Sequence, residues 1–119
     1  LFVLNPTRGY KPADLLSGAP LYLVMSLASG PKHGHALMKD VERFAGVHLG
    51  PGTLYKALGR LEQDGVIESL PPDERRRPYA LTPAGRDLLA SSLDHLAAVV
   101  DEGRQRLGRK AKPRVALAQ

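Results

Sequence analysis

Four polar or charged side chains recur at helical spacing between positions 53 and 63. Thr53, Lys56, Arg60 and Gln63 fall at i, i+3, i+7 and i+10, which is one continuous stripe if the segment is helical. They bring a hydroxyl, an ammonium, a guanidinium and an amide. An arginine such as Arg60 suits the O6/N7 edge of guanine, and a glutamine such as Gln63 suits adenine. Lys56, near the start of the segment, serves a phosphate or a base, and Tyr55 at the edge of the stripe offers its hydroxyl to a phosphate. Taken alone, the stripe fits an ordinary solvated helix face equally well.

Two further patterns bear on that choice. Arg75, Arg76 and Arg77 lie between Pro71-Pro72 and Pro78, on a stretch the prolines make stiff, with Asp73 and Glu74 beside them. Arginines on such a tip suit a minor groove or a phosphate clamp, against the alternative of a self-neutralised surface turn. Leu89, Leu93, Leu96, Val100 and Leu107 are spaced four, three, four and seven apart, with Gly103 at the missing seam position. That is a heptad-like stripe of the kind that pairs two helices.

Other chemistries are poorly supplied. The 119 residues contain no cysteine, so disulfide scaffolds, thiol catalysis and cysteine-based zinc sites are excluded. His33 and His35 are two apart and point to different sides of a helix, and His48 and His95 are distant in sequence, which leaves a zinc site as a remote alternative. His33 is expected at a helix start, satisfying backbone groups. There is no serine elbow, phosphate loop or carboxylate cluster. No enzyme, metal or cofactor is expected. No apolar run of about 18 residues is present, and the N-terminus lacks the layout of a signal peptide, so neither a membrane span nor export is expected.

The formal charge of +5 sits mostly at one end. Residues 108–119 hold Arg109, Lys110, Lys112 and Arg114 with no acid, whereas residues 30–82 hold eight basic against seven acidic side chains. Any DNA affinity of the central region therefore rests on local placement, not on net charge.

The elements that must position these groups follow from periodicity and punctuation, and the length suits one domain with one modest core. Residues 20–28 read as an apolar helix with Pro20 at its first position, stopped by Ser29-Gly30-Pro31, with room for a further turn within 14–19. A second helix is predicted over 35–44, with Ala36, Leu37, Met38, Val41 and Phe44 inward and Gly46 as its stop. A third runs from Pro51 to about Asp64, with Leu54, Ala57, Leu58 and Leu61 inward and Gly65 after it. Residues 66–70 and the alternating Tyr79 and Leu81 predict a two-stranded hairpin. Thr82-Pro83 is an N-cap and first-position pair opening a last helix to about Leu107. The order is three helices, a hairpin and a helix. It predicts a mostly α protein with a small β-hairpin: an arm over 1–13, a winged helix-turn-helix over 14–82, a C-terminal dimerisation helix over 83–107 and a basic tail over 108–119, expected to be disordered without DNA.

The stretch Gly30-Pro31-Lys32-His33-Gly34-His35, then Gly50-Pro51-Gly52-Thr53-Leu54-Tyr55-Lys56-Ala57-Leu58, Arg60-Leu61-Glu62, Gly65-Val66-Ile67, and Arg77-Pro78-Tyr79-Ala80-Leu81-Thr82-Pro83-Ala84-Gly85 resembles the PadR family of bacterial transcriptional regulators over roughly residues 18–90. The resemblance implies a winged helix-turn-helix, a cytoplasmic homodimer built on the last helix, and usually a repressor that answers to small aromatic or cationic molecules. Lys56 stands where the family usually has proline, Gly50 where it has Ser or Thr, and His35 where it has tyrosine. The single final helix matches the smaller branch of the family.

Double-stranded DNA and a second copy of the chain are thus the expected partners, through Thr53, Tyr55, Lys56, Arg60, Gln63 and Arg75–Arg77 for DNA. Leu89, Leu93, Leu96, Val100 and Leu107 are expected in the dimer interface, joined by Leu21, Leu23 and Val24. A ligand pocket implied by the family would draw on Tyr22, Met25, Leu93, Leu96 and Val100. The competing reading is a winged-helix module that binds only protein. Such a module has no need for Lys56, Arg60 and the wing arginines together.

Overall fold

The computed structural model describes residues 10–108. The element order is α1 (Gly18–Leu27), β1 (Lys32–His33), α2 (Gly34–Ala45), α3 (Pro51–Gln63), β2 (Ile67–Ser69), β3 (Pro78–Leu81) and α4 (Pro83–Arg106). Helix α1 packs on α2, α3, α4 and β3. Its apolar residues run all round it because neighbours pack on most of its sides, leaving Tyr22 and Met25 half-buried. Leu21, Leu23, Val24 and Leu27 are all buried within the protomer. This corrects the expectation that Leu21, Leu23 and Val24 join a dimer interface: the chain's own core has already taken them. The helix also starts earlier than Pro20, which sits third in its first turn, where a missing N–H still breaks no helical bond.

The amphipathic helices close on α1. From α2 only Leu37, Val41 and the backbone of Gly34 are fully buried. Ala36 and Phe44, expected inward, are exposed, and Phe44 meets Tyr22 edge-on at a ring-centroid distance of 6.4 Å. Gly46 ends α2 at φ +69°, a left-handed conformation that suits glycine, and its N–H donates to the Glu42 carbonyl at 3.0 Å. Leu54, Leu58 and Leu61 seat α3 with almost no exposure, each stabilising the fold by roughly 1.5–3 kcal/mol.

Polar groups fix the joint between α1 and α2. Asp40 accepts from Ser26 Oγ at 2.6 Å and from Arg43 Nη2 at 2.6 Å. The Ser26 hydroxyl, and then Arg43, hold the Asp40 carboxyl below its ordinary range. The Lys32 ammonium donates to the Ser26 carbonyl and to Ser29 Oγ, which places a cation at the C-terminal end of α1.

The sheet has three strands in the order β1-β3-β2, all antiparallel. The predicted hairpin is β2 and β3, with Ile67 opposite Leu81 and Ser69 opposite Tyr79. The added strand β1 pairs Lys32 with Tyr79 and His33 with Pro78. Two residues carry no period, so this strand had no sequence signature.

Helix α4 is capped as its sequence predicts. Thr82 Oγ1 accepts from the Gly85 N–H at 2.9 Å, and the same hydroxyl lies 2.7 Å from the Gly65 carbonyl and 3.0 Å from the Val66 carbonyl. A Cβ on Gly85 would overlap the Val66 carbonyl oxygen, so only glycine allows this helix to sit on the entry to β2. Leu89 is buried in the protomer core, correcting its assignment to the dimer stripe. The first half of α4 also holds the lead-in segment. Tyr10 Oη donates to Asp87 at 3.1 Å, and the Leu16 N–H donates to Ser92 Oγ at 2.9 Å. The sequence predicts an arm or irregular lead-in over 1–13. Among the described residues, Tyr10 is tied to α4, and Pro12–Asp14 form a 3-10 turn. Residues 1–9 of the arm and 109–119 of the basic tail lie outside the described residues.

Candidate nucleic-acid interface

The inward leucines of α3 decide which of its side chains face away. Thr53, Tyr55, Lys56, Arg60 and Gln63 are all exposed. The structure divides them between two flanks. On one flank, Thr53, Lys56, Arg60 and Asp64 border an open groove of about 580 Å³, with Asp14–Ser17 of the lead-in, Ala19 and Pro20 of α1 and Leu88 of α4 on its other sides. On the opposite flank Tyr55 leans on α2, where a Cβ on Gly34 would come within hydrogen-bond distance or less of its hydroxyl. Glu62 on that flank accepts a hydrogen bond from Ser69 Oγ of β2. Burial, then the nearby Glu62 and Tyr55, push the Tyr79 hydroxyl above its ordinary pKa.

Between the flanks runs a low crest. Gly52 and Gly59 are seven apart, about two turns, and a Cβ at either would meet nothing within 4 Å. The helix backbone there is bare, flanked by Lys56 and Gln63. This feature went unread in the sequence, although the two glycines sit on the outward side of a well-marked amphipathic helix.

The strands carry the arginines out on a tight turn. Asp73 and Arg76 exchange both backbone hydrogen bonds, at 2.7 and 2.9 Å. The corner residues Glu74 and Arg75 have φ of +49° and +71°. Such a turn normally employs asparagine or glycine at its corners, so two ordinary side chains here are strained. The turn is therefore Asp73–Arg76 itself and not the Pro-Pro pair before it. Arg75 stands at the corner, and Arg76 and Arg77 follow on the returning arm, all three exposed. Among the described residues Lys56, Arg75, Arg76 and Arg77 form no ion pair, whereas Arg60 Nε lies 3.3 Å from Asp64 Oδ2.

His33 precedes α2 as expected, but its side chain makes no capping bond, and its Nε2 is buried without a hydrogen-bond partner among the described residues. No group of three histidine or acidic side chains among them is arranged to hold a metal. No described helix is long and apolar enough to cross a membrane. Tyr22 and Met25 are half-buried on α1, and Leu93 and Leu96 are exposed on α4. The groove beside α3 includes none of these four.

Three helices, a short third strand and a β2–β3 wing define a winged helix protein, with α4 appended. Comparison with known proteins gives the particular family. Residues 23–91, more than half the chain, match the transcriptional regulator PadR-like family, and the chain belongs to it. It is 43% identical over 79 residues to an uncharacterised 37.1 kDa protein of a transposon from Streptomyces fradiae, of which it spans only 23%. It is 37% identical over 83 residues to the transcriptional regulator Rv3488 of Mycobacterium tuberculosis, covering 65% of this chain and 77% of that protein. A PadR family transcription regulator from Clostridium difficile R20291 superposes with a TM-score of 0.68 at 27% identity, covering 74% of this chain and 96% of the other. The family is one of transcriptional regulators, not enzymes.

Proposed function

We propose that this chain is a sequence-specific DNA-binding regulator that acts as a homodimer, represses transcription from a palindromic operator and is released by a small aromatic or drug-like molecule. The observation that carries the reading is the pairing of two exposed basic features on one small domain. Lys56 and Arg60 project from α3, and Arg75–Arg77 project from the wing. Gly52 and Gly59 leave the α3 backbone open beside Lys56 and Gln63, which lets a duplex come close at those two positions. In this reading Arg60 and Gln63 meet base edges, while Thr53, Tyr55, Lys56 and the wing arginines hold phosphates or the minor groove.

The second half of α4 supports the dimer. Leu93, Leu96, Val99, Val100 and Leu107 are large, apolar and exposed on the single chain. A matching helix from a second copy covers them in a two-fold arrangement, which sets two α3 helices about one DNA turn apart, roughly 34–36 Å. Tyr22 and Met25 with Leu93 and Leu96 are the proposed lining for an effector. A cytoplasmic location accords with the DNA-binding role.

Footprinting of the DNA upstream of the protein's own gene, with and without aromatic ligands, is the direct test. A protected palindrome is expected, and protection of no sequence overturns the reading. Arg60→Ala is expected to weaken operator binding by about 1–3 kcal/mol and to relax one base preference per half-site. A uniform loss on all sequences makes Arg60 a phosphate contact instead. Replacing Arg75, Arg76 and Arg77 by alanine lowers the salt dependence of binding, by roughly 0.9 in log–log slope for each phosphate no longer neutralised. An unchanged slope means the wing does not touch DNA.

A further inference from the structure

We propose that Asp64 is a positioning and specificity-determining residue: its carboxylate holds the Arg60 guanidinium by Nε, so that the two terminal nitrogens face the base edges. The proposal rests on the reading of Arg60 as a base contact. Its geometric ground is the 3.3 Å contact from Arg60 Nε to Asp64 Oδ2, and the place of both side chains on the groove-facing flank of α3 with Thr53 and Lys56. Asp64 therefore sits on the flank where phosphates would approach.

Helix stability does not account for the pair. Asp64 is the C-cap of α3, where the helix dipole disfavours a carboxylate. Arginine preceding the acid by four residues is the weaker order for such a pair, and both side chains are more than half exposed, so the contact adds little to folding. What the contact does is chemical. A guanidinium bound through Nε keeps Nη1 and Nη2 for a bidentate bond to guanine. It also enters the complex with fewer rotamers to lose, which favours the one geometry that reads a base. The carboxylate at the same time repels phosphate, so Arg60 gains less from a backbone contact than an unaccompanied arginine would. Both effects raise discrimination at the expense of general affinity. Asp14, on the opposite lip of the same groove, adds a second negative charge facing this flank.

The test compares D64A, D64N and R60A in the full chain. Base preference is read by selection from a random-sequence duplex pool, and general affinity by fluorescence anisotropy on one scrambled duplex. D64A is expected to lose the base preference that R60A loses and to bind the scrambled duplex about three- to tenfold more tightly, since one repulsive charge is gone. D64N retains an oxygen that accepts from Arg60 Nε, so it keeps the base preference while general affinity still rises. A merely structural role for Asp64 would not separate these two variants. If R60A erases a base preference and D64A retains it, the Asp64 proposal is overturned while the DNA-reading role of α3 stands. If R60A erases no preference, the reading of Arg60 falls, and the role of Asp64 with it.

Discussion

The two halves of α4 share one leucine pattern and have opposite fates. Over its first ten residues the helix is partly enclosed: Gly85, Leu89, Ser91 and Ser92 are buried while Pro83, Ala84, Arg86 and Asp87 stay exposed, and the lead-in is tied to it at Tyr10 and Leu16. Leu89 and Ser91 lie about 200° apart on the helix, so that half is covered on both sides. From Leu93 onward every large apolar residue is exposed, with Val99 and Val100 at 52% and 50% and Leu107 at 73%. The first half belongs to the fold of the single chain. The second offers an apolar surface to something outside it. A heptad-like pattern can thus cross a boundary between two kinds of burial, because hydrophobicity specifies that a face be covered and leaves open what covers it.

That contrast can be broken most sharply at Gly85. Gly85→Ala drives a methyl group into the Val66 carbonyl, which is backbone and cannot swing aside. It is expected to destabilise the chain by about 3 kcal/mol, checked by chemical denaturation. A loss within error would show that the helix start can shift, and that the enclosed half is less fixed than described. Next comes the paired test of Leu89 and Leu96. Leu89→Ala should cost about 2–3 kcal/mol of folding stability by leaving a cavity. On the proposed dimer, Leu96→Asp should leave the chain folded and yield monomers in analytical ultracentrifugation at a concentration where the parent sediments as the expected dimer. A stable L96D dimer removes the exposed half of α4 from the interface. The smallest effect is expected at Ser91, whose hydroxyl is buried with no hydrogen-bond partner among the described residues. Ser91→Ala should stabilise by about 1 kcal/mol, seen as a Tm rise of about 4–8 °C. A decrease would mean that the hydroxyl is satisfied in solution.

The candidate interface shows the same division between what a pattern states and what packing adds. The α3 stripe was legible because Leu54, Leu58 and Leu61 fix the inward direction and leave the other side chains only outward ones. Its split into two flanks was not legible. That split depends on Tyr55 resting against Gly34 and on the lead-in running past Thr53, Lys56 and Arg60, where segments remote in sequence meet. The wing arginines were legible as a charged tip between two strands. Their presentation from a two-residue turn with both corners left-handed was not, because Glu74 and Arg75 are not residues that favour such a turn.

By itself the sequence determined the number and order of the helices, the caps at Thr82 and Gly46, the paired strands β2 and β3, and the side of α3 that stays in solvent. Each is a local consequence of period, capping chemistry or proline geometry, written within about one to three turns of chain. Tertiary structure alone decided that Lys32 and His33 form a third strand, that Leu21, Leu23, Val24 and Leu89 belong to the protomer core, and that the apolar stripe of α4 emerges only at Leu93. Those outcomes turn on which surfaces meet. A periodic pattern gives the direction a side chain points but not the neighbour that will be there.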